Sequence, residues 1–510
     1  MHLKVGGNMK KARIMLLVGA LSLSVSGCSF TPDASEAAGV DEQYLGESIE
    51  NNSIFPASVE GFVGDTMPFY SDGKFNVFYL ADQRNGKQGY HPWALMQTEN
   101  FSSFDDKGVV INYGDSVESQ DIALGTGSVI KDNSGVYHAF YTGHNDTFEP
   151  KEAVMHATSK DMENWEKIPA DTFTSGGNYS ANDFRDPYVF YSEEEDCYEM
   201  LVTTRANNMG VIARFSSKDL SKWKDEGVFF ENDLGSDSNM ECPTLLEYKG
   251  KWYLSFSDQW PLRETHYRVA DKWNGPFEKP KQDVFDGNGF YAGRMETDGE
   301  KLYVVGWNGT KKNHTDSEDY DWGGNLVCHE LKQTKNGNLV PVLNTDVQAL
   351  LNHEIALNPI KMTDSVKEEK DVLKFSGNQY EVVGYDRIMG SYLFQTTIKD
   401  FDKKGMFGFC FNNNTENVGN TNIVFNAANS RIEFYNTSDI MESTAQSYID
   451  YDIAGCDELQ VSILISDGVV VMYVNDEVAF TSRMYLSQGM EWGLFSINSK
   501  VNFEATKLYK

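Results

Sequence analysis

The stretch DGKFNVFYLAD, residues 72–82, sets a two-residue turn ahead of an alternating run of aromatic and aliphatic residues. That is the pattern of a half-buried strand leaving a tight turn. Four further stretches repeat it: NSGVYHAFYTG (133–143), EEDCYEMLVTT (194–204), YKGKWYLSFSD (248–258) and DGEKLYVVGWN (298–308), with starts 61, 61, 54 and 50 residues apart. A second element trails two of them as near copies, SKDMENWEKI (159–168) and SKDLSKWKDEG (217–227). Helical periodicity is almost absent between residues 60 and 340. Repeats of this length, each holding several short strands, predict a β-propeller, and five copies predict five blades. A β-sandwich gives no reason for near copies at this period.

Carboxylates recur just upstream of the repeated strand. Asp65 lies 7 residues before Asp72, Glu241 7 before Tyr248, and Asp186 8 before Glu194; the same offset in the other two repeats gives Thr126 and Tyr291. The first strand of a propeller blade lines the central channel, so this alignment predicts Asp65, Thr126, Asp186, Glu241 and Tyr291 around one channel mouth. A slip of one residue would turn a side chain to the opposite face. Asp186 stands in NDFRDPYVFY (182–191), where Arg185-Asp186-Pro187 also suits a plain turn. Its phase with two other acids favours a site. Crowding like charges raises at least one pKa. Glycoside hydrolysis needs such a set, with one carboxylate ionised and one carboxyl protonated. Calcium binding by the three acids is the competing possibility.

The net charge of −32 excludes a nucleic-acid or anionic-lipid surface as partner, since phosphate binding needs clustered Lys and Arg. A neutral saccharide is easier to accommodate. The N-terminal MKKARIMLLVGALSLSVSGC places Lys10, Lys11 and Arg13 before an apolar run from Ile14 to about Val25, the layout of a signal peptide. Its end, Val25-Ser26-Gly27-Cys28, resembles a bacterial lipoprotein signal, which implies lipidation at Cys28 and export to the cell surface, with membrane contact only through that anchor. Residues 29–55 read as a flexible tether. The five other cysteines show no CxxC, the histidines no HExxH, and no Gly-rich phosphate loop occurs. No metal or organic cofactor is expected.

The ordered set Gly64-Asp65, Phe184-Arg185-Asp186-Pro187 and Glu241-Cys242-Pro243 resembles glycoside hydrolase family 32, the fructan and sucrose hydrolases. Gly125-Thr126-Gly127-Ser128, Tyr141-Thr142-Gly143, Phe290-Tyr291-Ala292, Gly306-Trp307 and Trp322-Gly323-Gly324-Asn325-Leu326 extend the likeness. The resemblance implies a five-bladed propeller (56–345) followed by a β-sandwich (355–510). It also implies retaining cleavage of β-fructofuranosyl linkages, with Asp65 as nucleophile, Glu241 as acid/base and Asp186, beside Arg185, holding sugar hydroxyls. Two departures stand out. The family's Trp-Met-Asn-Asp-Pro-Asn-Gly is Phe62-Val63-Gly64-Asp65-Thr66-Met67-Pro68 here, and a Gln that follows Phe-Tyr is Leu80. Asp82, Gln83 or Arg84 is a candidate replacement, and Trp93 a candidate aromatic platform for the sugar.

From about residue 355 the strands lengthen, with Asp-Gly and Asn-Asp turns; VSILISDGVVVMYVNDEVAFTS (461–482) predicts two successive hairpins. This reads as an antiparallel sandwich supporting the propeller. Two other functions fit the same residues: an inverting arabinosidase or xylosidase on the same fold, and a surface lipoprotein that binds sugar without cleaving it.

Overall fold

The computed structural model describes residues 53–84, 91–411, 421–485 and 491–510. The signal segment, Cys28 and most of the tether lie outside the described residues. The tether's expected end does not hold: Ile54 and Phe55 are buried, and the Phe55 and Pro56 carbonyls accept hydrogen bonds from Asn325 Nδ2 (2.7 Å) and the Leu326 amide (2.9 Å). Two apolar side chains in sequence were enough to draw this stretch into the core.

Each blade is an antiparallel meander. The blades are β1 (Phe62–Ser71), β2 (Lys74–Asp82), β3 (Trp93–Thr98) and β4 (Asp105–Ile111); β5 (Ala123–Lys131), β6 (Tyr137–His144), β7 (Glu152–Ser159) and β8 (Trp165–Lys167); β9 (Tyr179–Ser192), β10 (Cys197–Ala206), β11 (Met209–Ser217) and β12 (Lys224–Glu231); β13 (Met240–Tyr248), β14 (Lys251–Asp258) and β15 (Thr265–Ala270); and β16 (Tyr291–Thr297), β17 (Leu302–Lys311), β18 (Tyr320–Gln333) and β19 (Leu339–Val342). The five repeated stretches form the second strands β2, β6, β10, β14 and β17. In the fourth blade, isolated bridges His266–Val284 and Val269–Glu278 stand in for an outer strand. The first strands of adjacent blades touch in a closed ring, β1–β5–β9–β13–β16 and back to β1. β18 closes the circle by pairing with β1 at Val63–Gly324.

The near copies at 159–168 and 217–227 are one turn used twice. Asp161 Oδ1 accepts the Glu163 and Asn164 amides, and Asp219 Oδ1 accepts those of Ser221 and Lys222. Met162 and Leu220 both take positive φ and are buried. A local side-chain turn thus sets the step from third to fourth strand. Facing blades bury separate aromatic and aliphatic layers. Between the first two blades, for example, Met67, Leu80, Trp93, Leu95, Tyr141 and Met155 pack together.

After helix α1 (Thr345–Leu350) come two packed antiparallel sheets. One is ordered Lys367–Glu369, Val372–Ser376, Lys500–Tyr509, Tyr392–Lys399, Glu458–Ser466, Val469–Val474, Val478–Arg483. The other is ordered Lys361–Met362, Tyr380–Tyr385, Trp492–Ile497, Met406–Phe411, Thr421–Asn426, Arg431–Tyr435, Ser447–Asp450. The two hairpins expected in 461–482 are present, turning at Asp467-Gly468 and Asn475-Asp476, all at positive φ.

Propeller and sandwich belong to one compact unit. Buried polar groups join them. Asp286 accepts the Thr481 amide (2.7 Å) and hydroxyl (2.5 Å) and lies 3.0 Å from His329 Nε2, while His329 Nδ1 meets the Tyr473 hydroxyl at 3.0 Å. Arg483, also buried, donates to the Asn308 and Gly309 carbonyls and to Asn325 Oδ1. Asp286→Ala strands three buried donors, the Thr481 amide and hydroxyl and the Gly287 amide, and is expected to cost about 3 kcal/mol, read as a lower denaturant midpoint; a loss under about 1 kcal/mol would show that this clip does not hold the two parts together.

Candidate active site

All five inner strands carry a β-bulge at the same level. The inner strand gains one residue over its partner between Gly64 and Thr66, Leu124 and Gly127, Arg185 and Tyr188, Glu241 and Thr244, and Tyr291 and Arg294. A bulge bends its strand and re-aims the side chains beside it. The site sits on these five bulges. They also correct the predicted alignment. Asp186 is equivalent to Cys242 and Ala292, the three sharing φ of 57°, 55° and 53°. Glu241 is equivalent to Arg185 and Tyr291, one position earlier. Counting residues back from the repeated strand missed this shift, because the turn between β9 and β10 holds four residues (193–196) and that between β13 and β14 only two (249–250).

Asp186 is buried and its backbone occupies a left-handed conformation that costs a non-glycine residue about 1 kcal/mol or more. Bonds from two neighbouring blades hold it there. Its amide donates to Thr142 Oγ1 (2.9 Å), its Oδ2 accepts the Cys242 amide (3.0 Å), and its Oδ1 accepts the Thr126 hydroxyl. Thr126, predicted to contact sugar, is itself buried and serves to hold this carboxylate.

Glu241 is gripped from both sides. Oε1 accepts from Arg185 Nη2 (2.9 Å) and Nε (3.2 Å), and Oε2 accepts the Tyr291 hydroxyl. Arg185 is oriented in turn by Asp183 Oδ1 (3.1 Å), Glu152 Oε2 (3.4 Å) and Gln259 Oε1 (3.2 Å). Asp65 is half-buried, and its Oδ1 accepts from Trp307 Nε1 at 2.9 Å. The Arg263 guanidinium lies 4.2 Å over the Tyr291 ring and lowers the Asp65 carboxyl. A cavity beside the acids is lined by Arg263, Asn288, Tyr291, Trp307, Tyr320 and Asp321, among others.

Burial pushes the Asp65 carboxyl up to about 7, with Asp186 and Glu241 adding to the rise. Burial also raises Glu241, against the pull of Arg185 and Tyr291 and with a further push from Asp186. Loss of water is therefore a larger cause than the neighbouring carboxylates, which had been expected to dominate. Both shifts favour the protonated form of an acid in this pocket, and the chemistry of a carboxyl pair needs one group protonated to donate and one ionised to attack.

The other predicted residues fall elsewhere. Trp93 is fully buried between the first two blades with Nε1 on the Gly125 carbonyl (2.9 Å), so it supports the core and offers no face to a sugar. Gln83 donates to Glu60 Oε2 at 3.2 Å. Asp82 pairs with Arg84 (3.1 Å), whose Nη2 donates to the Trp322 carbonyl (3.1 Å). Leu80 is a core residue opposite Gly64. Trp307 and Arg263 were missed as site residues; Trp307 was legible as the aromatic ending the fifth repeat, Arg263 was not. Among the described residues no cluster of Asp, Glu, His or Cys has the geometry to hold a metal ion.

Fold and site define a five-bladed propeller with an acidic pocket on its axis. The family model "Glycosyl hydrolases family 32 N-terminal domain" matches residues 61–341, and the chain belongs to glycoside hydrolase family 32. It is 25% identical over 320 residues to a sucrose-6-phosphate hydrolase of Vibrio alginolyticus, covering 56% of this chain and 61% of that protein. It is 23% identical over 349 residues to a levanbiose-producing levanase of Bacillus subtilis, covering 62% and 64%. The chain thus spans less than two thirds of these curated relatives. Among solved structures, sucrose-6-phosphate hydrolase from Lactobacillus gasseri superposes with a TM-score of 0.69 at 18% identity, over 94% of this chain and 96% of that one. Fructan 1-exohydrolase IIa from Cichorium intybus gives 0.65 at 13%, over 90% and 97%. These likenesses show the shared fold.

A carboxyl whose folded pKa is raised favours folding at low pH, and that contribution is lost as pH climbs from the unfolded value near ~4 through about 7. Asp65→Asn removes the titration. Its melting temperature should exceed that of the wild type, by more at pH 8 than at pH 5; an equal gap at both would show that Asp65 does not carry the raised pKa.

Proposed function

We propose that this protein is a retaining glycosidase that cleaves β-fructofuranosyl linkages, in sucrose or in levan- or inulin-type fructans. The support is the set of three carboxylates at the bulges of three of the five inner strands, each held differently. Asp65 takes one hydrogen bond, from Trp307 to Oδ1, and is the carboxylate that attacks the anomeric carbon. Glu241 keeps both oxygens on donors that fix its aim. Asp186 is braced by neighbouring blades. Asp65 bonds to the fructosyl carbon as Glu241 protonates the departing oxygen; Glu241 then takes a proton from water, which displaces Asp65 and frees fructose. Asp186 holds sugar hydroxyls through both steps. Membership of this family weighs against the arabinosidase and xylosidase alternative. At the cell, the protein is an exported lipoprotein anchored through Cys28; palmitate labelling that persists in Cys28→Ala would refute the anchor.

Incubation with sucrose, levan, inulin and a pentosan, with the released sugars separated, is the direct test. Fructose should appear, and arabinose or xylose alone would sink the proposal. Glu241→Gln should lower kcat by 100-fold or more, of the order general acid catalysis supplies, while substrate binding persists. A wild type that binds fructans and releases nothing would make it a binding protein.

A further inference from the structure

We propose that Trp322, carried on β18, is a specificity-determining residue that walls the sugar subsite beside the nucleophile, at the spot where β1 offers no side chain. The inference rests on the fructosidase function proposed above and adds what that pocket presents to the sugar.

The observation begins at Gly64, the residue before Asp65. A Cβ built there would stand 2.2 Å from Trp322 Cη2, 2.5 Å from Cζ2 and 2.9 Å from Cζ3. The benzo edge of the indole thus fills the space a side chain at 64 would take. Gly64 has no positive φ, so its backbone does not demand glycine; the ring does. Nor can the ring easily yield. His91 stacks on it with centroids 4.0 Å apart and planes 15° from parallel, and Trp307 packs at 5.6 Å. The Trp322 carbonyl is held by Arg84 and its amide by Asp321 Oδ1 (2.9 Å). Trp322 is half-buried, and its neighbour Trp307 is the donor to Asp65.

A side chain and this ring cannot both occupy the place beside Asp65. Where a polar residue at 64 would offer a hydrogen bond to a sugar hydroxyl, this pocket offers an aromatic edge. The subsite therefore meets C–H groups of the fructosyl unit at that spot, and Trp322 also backs the tryptophan that aims the nucleophile. The chemistry selects a furanose bound by shape and apolar contact there.

Four variants test this, each checked for an unchanged melting profile: Trp322→Phe, Trp322→Ala, Gly64→Ala and the double Gly64→Ala/Trp322→Ala, assayed on sucrose, levan and inulin. Trp322→Phe should stay within about threefold of the wild type. Trp322→Ala should lose about tenfold or more in kcat/KM, chiefly through KM, the mark of lost binding. Gly64→Ala should lose a similar factor by displacing the ring, yet change the Trp322→Ala protein by less than about twofold, because sterically coupled sites do not add. Independent, multiplying losses, or a Trp322→Ala protein as active as the wild type, would overturn the inference and leave the fructosidase standing. A wild type that frees no fructose from any of the three would remove both, since the subsite would have no fructosyl unit to meet.

Discussion

Asp186 is bonded to the blades on either side of its own. Its backbone sits in a conformation that non-glycine residues avoid, and that is stable only because Thr142, Thr126 and the Cys242 amide all reach it. The same contact locks β9 to β5 and β13. A propeller has no continuous hydrogen bonding between most of its blades, so such cross-blade bonds at the axis decide how closely the inner strands approach. The site and the hub of the fold are one structure.

Around that hub the charges are ordered. Three carboxylates in a pocket largely shut off from water would repel one another, and the protein manages this in two ways. Arg185 supplies a fixed cation to Glu241 and is itself held by Asp183, Glu152 and Gln259. The remaining imbalance is met by protonation, with burial raising both Asp65 and Glu241. Bidentate geometry explains why an arginine stands there: its planar fork can satisfy Glu241 and its three orienting partners at once.

The sandwich contributes to this pocket without entering it. Arg483 fastens the carbonyls of Asn308 and Gly309, the two residues after Trp307, and the Tyr485 hydroxyl accepts the Lys311 amide from the same strand. Trp307 and its grip on Asp65 therefore rest on a segment braced from the second sheet system. Lys311 is buried at this junction, its ammonium on the Asp316 carbonyl and Gln446, and burial lowers it to about 8. Support for the propeller, the role expected of the sandwich, here reaches to within one residue of an active-site donor.

The sequence by itself determined the blade count, the second strand of every blade and the sandwich hairpins. All of these follow from short-range signals: alternation, turn residues and a repeat period. It could not determine which residues are equivalent around the axis, because the turns between first and second strands differ in length from blade to blade while the strands themselves read alike. That is why Glu241 proved equivalent to Arg185 and not to Asp186, while its expected match to Tyr291 held; the bond from Thr126 to Asp186 depends on the fold alone. Trp93 and Trp322 make the same point from opposite sides. Both are tryptophans near strand ends, yet one is sealed between blades and the other stands against Gly64, next to Asp65. Only the tertiary structure decides this, since burial depends on what the ring closure brings opposite each side chain, and Gly64 makes room for a residue 258 positions away.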